Sequence, residues 1–332
     1  MTTRAPRFRT PLGAAVLALS AFAAIAGCDS EAAAPKSGPS APGRAAASPQ
    51  SPPVSARPAQ PAPSQGDVTA KLGRLEKARG VRIGAYAVDT ATGRFVAHRA
   101  DERFPFASTF KAFACGAVLR KARNSDPGLM DRVIRYKKSD LAPFSPVTEK
   151  HVGTGMTVSD LCHATITQSD NTAGNLVLKE IGGPAGLTAF LRSLGDTVTR
   201  SDRWEPGLND WKPGEKRDTT APRAWAGSLR ALTAGDALAP ADRDRLNAWM
   251  KAAVTGGKRI RAGLPQGWAA GDKTGTGGTY GSANDVAIVW PPSRAPLVIA
   301  ILTTRPDAGA AADDRAIAET ARVLAQALSQ TE

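Results

Sequence analysis

Phe106-Ala107-Ser108-Thr109-Phe110-Lys111-Ala112-Phe113 sets a serine and a lysine three positions apart in an apolar run that reads as helix. Positions i and i+3 share a helix face, so the lysine amine is expected to reach the serine hydroxyl. A serine is a poor nucleophile until a neighbour takes its proton. Alone, S-x-x-K says little, because a helix start with a solvated lysine has the same spelling. Its meaning depends on what the rest of the chain supplies.

Outward from that stretch, the hydrophobic period changes twice. Residues 68–79 have helical spacing, with Val68, Leu72 and Leu75 on one face, and residues 81–88 alternate as a strand. The turn-rich Asp89-Thr90-Ala91-Thr92-Gly93 then leads into a hairpin partner over 94–98. Residues 108 to about 260 read as mostly helical, with loops marked by Pro143, Pro146, Pro206, Pro213 and Pro222. Strand patterns return at 268–274, 284–290 and 296–304, and a final amphipathic helix over 310–330 carries Ile317, Ala321, Leu324 and Leu328 on one face. This order predicts an α+β fold. Its antiparallel sheet of five strands is built from both ends of the chain and flanked by helices, with an all-α subdomain inserted.

The N-terminus bears on compartment. Arg4, Arg7 and Arg9 precede an apolar run over 12–26 that is short for a membrane span. The run ends in Ile25-Ala26-Gly27-Cys28, which resembles the lipobox of bacterial lipoproteins, with Cys28 as the lipidated residue. Residues 29–66 are rich in Pro, Ala, Ser and Gly and read as a disordered tether. The expected division is a signal peptide at 1–27, a lipidated cysteine and tether at 28–66, and a folded domain at 67–332. Within that domain the α/β part covers 67–105 and 262–332 and the helical part 106–261. An exported protein anchored at the outer face of the cell membrane follows, with a released soluble form left open.

The formal charge of +13 is spread over scattered Lys and Arg with no long basic run, so a nucleic-acid partner is not expected. If Cys28 carries lipid, Cys115 and Cys162 remain as a pair, and outside the cytosol a disulfide is permitted. His98, His151 and His163 are scattered and fit no zinc spacing, so neither a metal nor another cofactor is expected.

Downstream of Ser108 come Ser169-Asp170-Asn171 and Lys273-Thr274-Gly275-Thr276-Gly277, the latter at a strand end. Each is cheap alone. In this order, with the first on a helix start and the last on a strand, they form the S-x-x-K, S-D-N, K-T-G set of serine enzymes acylated by β-lactams. A fourth stretch, Arg203-Trp204-Glu205-Pro206-Gly207-Leu208-Asn209, is similar to the omega loop of class A β-lactamases, and Asp218-Thr219-Thr220-Ala221-Pro222 to the end of that loop.

On these motifs the chain resembles a class A serine β-lactamase of actinobacterial type over residues 67–330. The resemblance implies that Ser108 is the acylated nucleophile, with Lys111 or Glu205 accepting its proton. Ser169 passes a proton to the leaving nitrogen, and Glu205, sharing a water with Asn209, drives deacylation. Asn171 holds the substrate side chain. Lys273, Thr274, Gly275 and Thr276 form the carboxylate-binding wall, where the Ser108 and Thr276 N–H groups make the oxyanion hole. Arg259 stands in for the arginine that other members place where this chain has Ala283. Phe144 walls the cleft, and Arg203 and Asp218 clamp the loop around a cis Glu205-Pro206 bond. A Cys115–Cys162 disulfide is implied as well.

The implied reaction is hydrolysis of penicillins, and of cephalosporins, by a cofactor-free monomer. The rivals are a D,D-peptidase and a non-hydrolytic β-lactam sensor. Both would lack the deacylating apparatus that Glu205 and Asn209 represent.

Overall fold

The computed structural model describes residues 65–329. Cys28, the leader and nearly all of the tether lie outside them.

Two β-rich segments far apart in sequence close into one sheet. Strands β1 (Arg82–Asp89) and β2 (Phe95–His98) come from the N-terminal side, and β3 (Ala269–Thr276), β4 (Ala283–Trp290) and β5 (Leu297–Thr304) from the C-terminal side. Their order is β2-β1-β5-β4-β3, every pair antiparallel, with Arg82 opposite Thr304 and Ala283 opposite Thr303. The last strand of the chain therefore sits in the middle, and all eight of its residues are buried.

Period-2 alternation on that central strand assigns its two faces. Leu297, Ile299 and Ile301 pack with Val68, Leu72, Ile317, Ala321, Leu324 and Leu328 of the two terminal helices, α1 (Gln65–Arg79) and α9 (Asp314–Ser329). Val298, Ala300 and Leu302 point the other way, into a core with Phe104, Phe106, Phe110, Phe113 and Trp225. Between them, the two helices and the sheet give the layered α+β arrangement read from the sequence.

That second core carries the helices that matter for chemistry: α2 (Phe110–Asn124), α3 (Val158–Thr167), α4 (Asn171–Glu180), α5 (Gly183–Ser193), α6 (Pro222–Thr233) and α7 (Pro240–Lys251), with the short α8 (Ile260–Gly263) leading back to the sheet. Trp225 on α6 stacks on Phe113 at 3.6 Å between ring centroids and donates its indole N–H to Thr109 Oγ1 at 2.9 Å. One buried aromatic thereby fixes the start of α2 to a helix more than a hundred residues away.

Cys115 and Cys162 meet across α2 and α3, but both are free thiols, so the expected disulfide is not formed. The Cys115 thiol instead donates to the Cys162 carbonyl at 3.8 Å. Burial, with the adjacent Cys162 thiol, raises the Cys115 thiol well above its ordinary pKa, which keeps it protonated and disfavours the thiolate that exchange requires.

Candidate active site

Ser108 does not sit on the helix proper. It lies in a short 3-10 turn, Ala107–Thr109, that feeds α2, and Ala107 enters that turn at φ 46°. Lys111 follows in the first turn of α2 and is fully buried.

The direct serine–lysine contact expected from the spacing is not what the structure shows. Ser108 Oγ donates to Glu205 Oε1 at 2.6 Å, and Lys111 Nζ stands 3.2 Å from that same oxygen. The amine spends its other donors on Asn171 Oδ1 at 2.6 Å and the Ser169 carbonyl at 2.8 Å. The carboxylate bridges the pair. Burial lowers the Lys111 pKa, and the charge of Glu205 pulls against that shift.

Room for this lysine depends on a glycine. A Cβ on Gly174 of α4 would lie 2.9 Å from Lys111 Cε and 3.0 Å from Thr165 Oγ1.

The Ser169-Asp170-Asn171 stretch turns a corner between α3 and α4, with Ser169 at φ 59°. Asp170 is the buried hub of that corner. It caps α4 by accepting from Ala173 N at 2.8 Å and also takes the N–H groups of Val147 and Thr148 at 2.9 Å each. Those last two bonds hold the loop that presents Phe144, which is 64% exposed at the cleft rim. Asn171 Nδ2 donates to the Pro143 carbonyl at 2.8 Å, tying the same loop to the site.

On the opposite wall, β3 delivers Lys273. Its Nζ donates to Ser169 Oγ at 2.9 Å and to the Thr274 carbonyl at 2.8 Å. Burial, with the nearby Lys111 cation, pushes its pKa down to about 7. Gly275 runs so close to the serine turn that a Cβ there would stand 2.8 Å from the Phe106 carbonyl and 3.1 Å from Ser108 N. Arg259 lies along the strand end: Nη1 donates to the Gly275 and Asn284 carbonyls, Nη2 to Thr276 Oγ1 and Nε to Asp314, each at 2.8 Å. Thr255 shares a 2.6 Å hydroxyl contact with Thr274.

Glu205 comes from a loop that has almost no ladder of its own. The Glu205-Pro206 bond is cis, and Asn209 Nδ2 donates to Glu205 Oε2 at 2.7 Å. Asn175 of α4 grips the glutamate backbone from both sides, with Glu205 N to Asn175 Oδ1 and Asn175 Nδ2 to Glu205 O, each at 2.9 Å. Buried Asp218 closes the loop neck by accepting from Arg203 Nε at 2.6 Å and from the Asp202 and Arg203 N–H groups at 2.8 and 3.0 Å.

Ser108, Phe144, Ser169, Asn171, Arg259 and Thr276, among others, line a cleft of about 320 Å³, and Lys111, Glu205 and Lys273 are bonded to residues of that lining. The structure thus brings the predicted catalytic and substrate-binding residues together around one serine hydroxyl, while Arg203 and Asp218 hold the loop neck, Cys115 and Cys162 lie in the core, and Cys28 falls outside the described residues. Asn175, Thr255 and the organising part of Asp170 escaped sequence reading. Nothing in a lone asparagine on a helix announces that it pairs with a loop thirty residues on.

Residues 67–330 match the model of the β-lactamase enzyme family. The chain belongs to that family. A β-lactamase of Nocardia farcinica, FAR-1, is 56% identical over 260 residues, covering 78% of this chain and 82% of that protein. The crystal structure of a β-lactamase from Streptosporangium roseum, also 56% identical, superposes with a TM-score of 0.79 over 80% of this chain and 99% of that one. An ancestral class A β-lactamase matches at 55% identity and a TM-score of 0.75 over 78% of this chain and 99% of that structure. The five-stranded antiparallel sheet and its helical block are therefore those of the class A enzymes.

Proposed function

We propose that the protein hydrolyses the β-lactam ring of penicillins and cephalosporins through an acyl-enzyme on Ser108 and so confers resistance to them. The observation that carries the mechanism is the 2.6 Å hydrogen bond from Ser108 Oγ to Glu205 Oε1, flanked by Lys111. It gives the attacking hydroxyl an acceptor already in line.

The steps follow from the contacts. Ser108 Oγ attacks the lactam carbonyl as its proton passes to Glu205, which Lys111 holds in place through the same carboxylate oxygen, and the negative charge moves to the lactam oxygen. The N–H groups of Ser108 and Thr276 stabilise the oxyanion, at roughly 3–4 kcal/mol per donor. The C–N bond then breaks, and the ring nitrogen takes a proton from Ser169, whose hydroxyl is resupplied by Lys111, 3.5 Å away. Lys273, Thr274, Thr276 and Arg259 receive the substrate carboxylate, and Asn171 and Phe144 border the substrate side chain.

Acylation also resets Glu205. Glu205 hands the proton it took from Ser108 back to Lys111, 3.2 Å away, to replace the one relayed to the ring nitrogen, so the carboxylate, still held by Asn209 and no longer bonded to the esterified Oγ, is free to deprotonate a water. That water attacks the ester and releases the opened ring. The rival D,D-peptidase or sensor would have no use for a carboxylate held this firmly against the nucleophile.

The signal peptide at 1–27, lipidation at Cys28 and display by the 28–66 tether belong to the same proposal, as does action as a monomer. Cys28→Ser is expected to abolish partitioning into detergent.

For the reaction, Glu205→Ala leaves Lys111 to take the serine proton, so acylation slows but deacylation, which loses its only base, slows further: a stable penicilloyl adduct on Ser108 is expected by intact mass, with turnover reduced about a thousandfold. Undiminished turnover in that variant would overturn the assignment.

A further inference from the structure

The catalytic cleft is not the largest cavity of the domain. A second one, of about 980 Å³, opens between the C-terminal half of α1, the β1–β2 edge and the underside of the 203–218 loop. None of Ser108, Lys111, Ser169, Glu205 or Lys273 lines it. Its volume lies at the upper end for small-molecule sites.

Its chemistry is lopsided. Arg82, Arg99 and Arg305 on its wall are paired, with Glu102, Glu76 and Asp313 at 2.7, 2.8 and 3.0 Å. Lys77, Lys216 and Arg103 also line it, and among the described residues none of the three meets a carboxylate. Arg103 donates only to neutral oxygens, Thr219 Oγ1 at 3.0 Å and the Val198 carbonyl at 2.8 Å. Arg305 Nε is buried and makes no hydrogen bond. Two carboxylates also line it, but both are engaged, Glu76 by Arg99 and Glu215 by Arg203 and Arg217, and the apolar part of the wall is Val81, the Trp211 ring, Pro213 and Pro306. Uncompensated guanidinium and ammonium groups beside an apolar surface select a ligand with a hydrophobic body and an acidic head.

Trp211 also connects this cavity to the chemistry. It lies two residues beyond Asn209, the partner of Glu205 Oε2, and its carbonyl accepts from Thr279 Oγ1 at 2.7 Å, beside the end of β3. A molecule lodged against Trp211 therefore loads the loop that carries the deacylating base.

We propose that this cavity is an effector site for an amphipathic anion, an aromatic or aliphatic body bearing one phosphate, sulfonate or carboxylate, and that its occupancy alters deacylation through the 203–218 loop. The second half rests on the acyl-enzyme reading above; the first does not.

The test titrates the purified protein with 8-anilinonaphthalene-1-sulfonate, reading dye emission and tryptophan quenching, and follows penicillin deacylation at saturating dye. Saturable single-site binding is expected, weakened roughly fivefold or more in the doubly substituted Lys77→Gln, Lys216→Gln protein, which removes two of the cations that face the acidic head. Both lysines are exposed, so this variant should keep the parent's melting temperature. Uncharged N-phenyl-1-naphthylamine should bind roughly tenfold more weakly, and the deacylation rate should change by about threefold or more with the dye bound. Equal affinity in the variant, equal affinity for the uncharged analogue, or an unchanged deacylation rate would each overturn the proposal. Complete absence of penicillin hydrolysis would instead overturn the enzymatic reading, while the titration still reports on the cavity.

Discussion

The two walls of the catalytic cleft are built on different principles. On one side Lys273, Thr274, Gly275 and Thr276 sit in a ladder, each opposite a residue of β4 from Val286 to Ala283. Backbone hydrogen bonds place them, and the side chains need only point the right way. On the other side Glu205 and Asn209 ride a loop that is bridged only at its neck among the described residues, by Arg200–Thr219 and by Thr219 and Thr220 pairing with Pro105 and Phe104. Their positions depend on a few side chains: Asn175 on the Glu205 backbone and Asp218 on Arg203. A ladder spreads its positional information over many bonds. A clamped loop concentrates it in two or three residues, so single substitutions should move the loop wall much further than the strand wall.

The largest effect should come from Asp218→Ala. It leaves Arg203 without its nearest carboxylate and two half-buried N–H groups without their acceptor, a loss of about 3–5 kcal/mol. Thermal unfolding should shift down by roughly 10 °C in a chain this long, and a fall of only a degree or two would mean that the neck is held by something else. Asn175→Ala should come next. It orphans the Glu205 N–H and carbonyl, at about 2 kcal/mol, and should slow deacylation about ten- to a hundredfold while acylation changes less. Pre-steady-state kinetics separate the two steps, and equal losses in both would break the contrast between the walls.

On the strand wall, pH is the sharper probe. Lys273 is pushed down to about 7 by burial and by Lys111. The folded protein therefore releases this proton while the unfolded chain still holds it, from about pH 7 up to the amine's ordinary value of 10.5. In that window the unfolded state binds more protons, so this group's contribution to stability improves as pH rises through it. Catalysis runs the other way. Above about pH 7 the amine that receives the substrate carboxylate becomes neutral, so kcat/KM for a penicillin should fall. In Lys273→Arg, which keeps its charge, that alkaline limb should disappear from the pH profile. The smallest effect should be that of Thr255→Val, which removes one hydroxyl partner of Thr274 and leaves the ladder intact. About a threefold rise in KM with kcat preserved is expected from steady-state assays, and a large fall in kcat would show that the strand wall is less robust than its ladder implies.

Much of the site was legible before the fold. The serine, both lysines and the glutamate sit in short signatures because each has a local backbone requirement: a helix start, a corner, a strand end, an X-Pro bond. The strands were legible for a related reason, since period-2 and period-3.6 patterns are local. The strand over 269–276 runs two residues further than its apolar alternation suggested, because pairing with β4 carries Gly275 and Thr276 into the sheet.

What the chain by itself determined, then, is the set of groups available and the elements that carry them. The pairings were decided only by tertiary structure, because they join residues 30 to about 100 positions apart and leave no local mark. Ser108 meets Glu205 across 97 positions, and Lys111 turns to Asn171 and Ser169 rather than to the serine beside it. Cys115 and Cys162 meet as thiols rather than as a bridge. Asn175 becomes a loop clamp only because α4 packs beside residue 205. Spacing along a helix states which groups could meet; the packing of six helices against a sheet chooses which ones do, since each buried donor takes the acceptor that the core has already placed in reach.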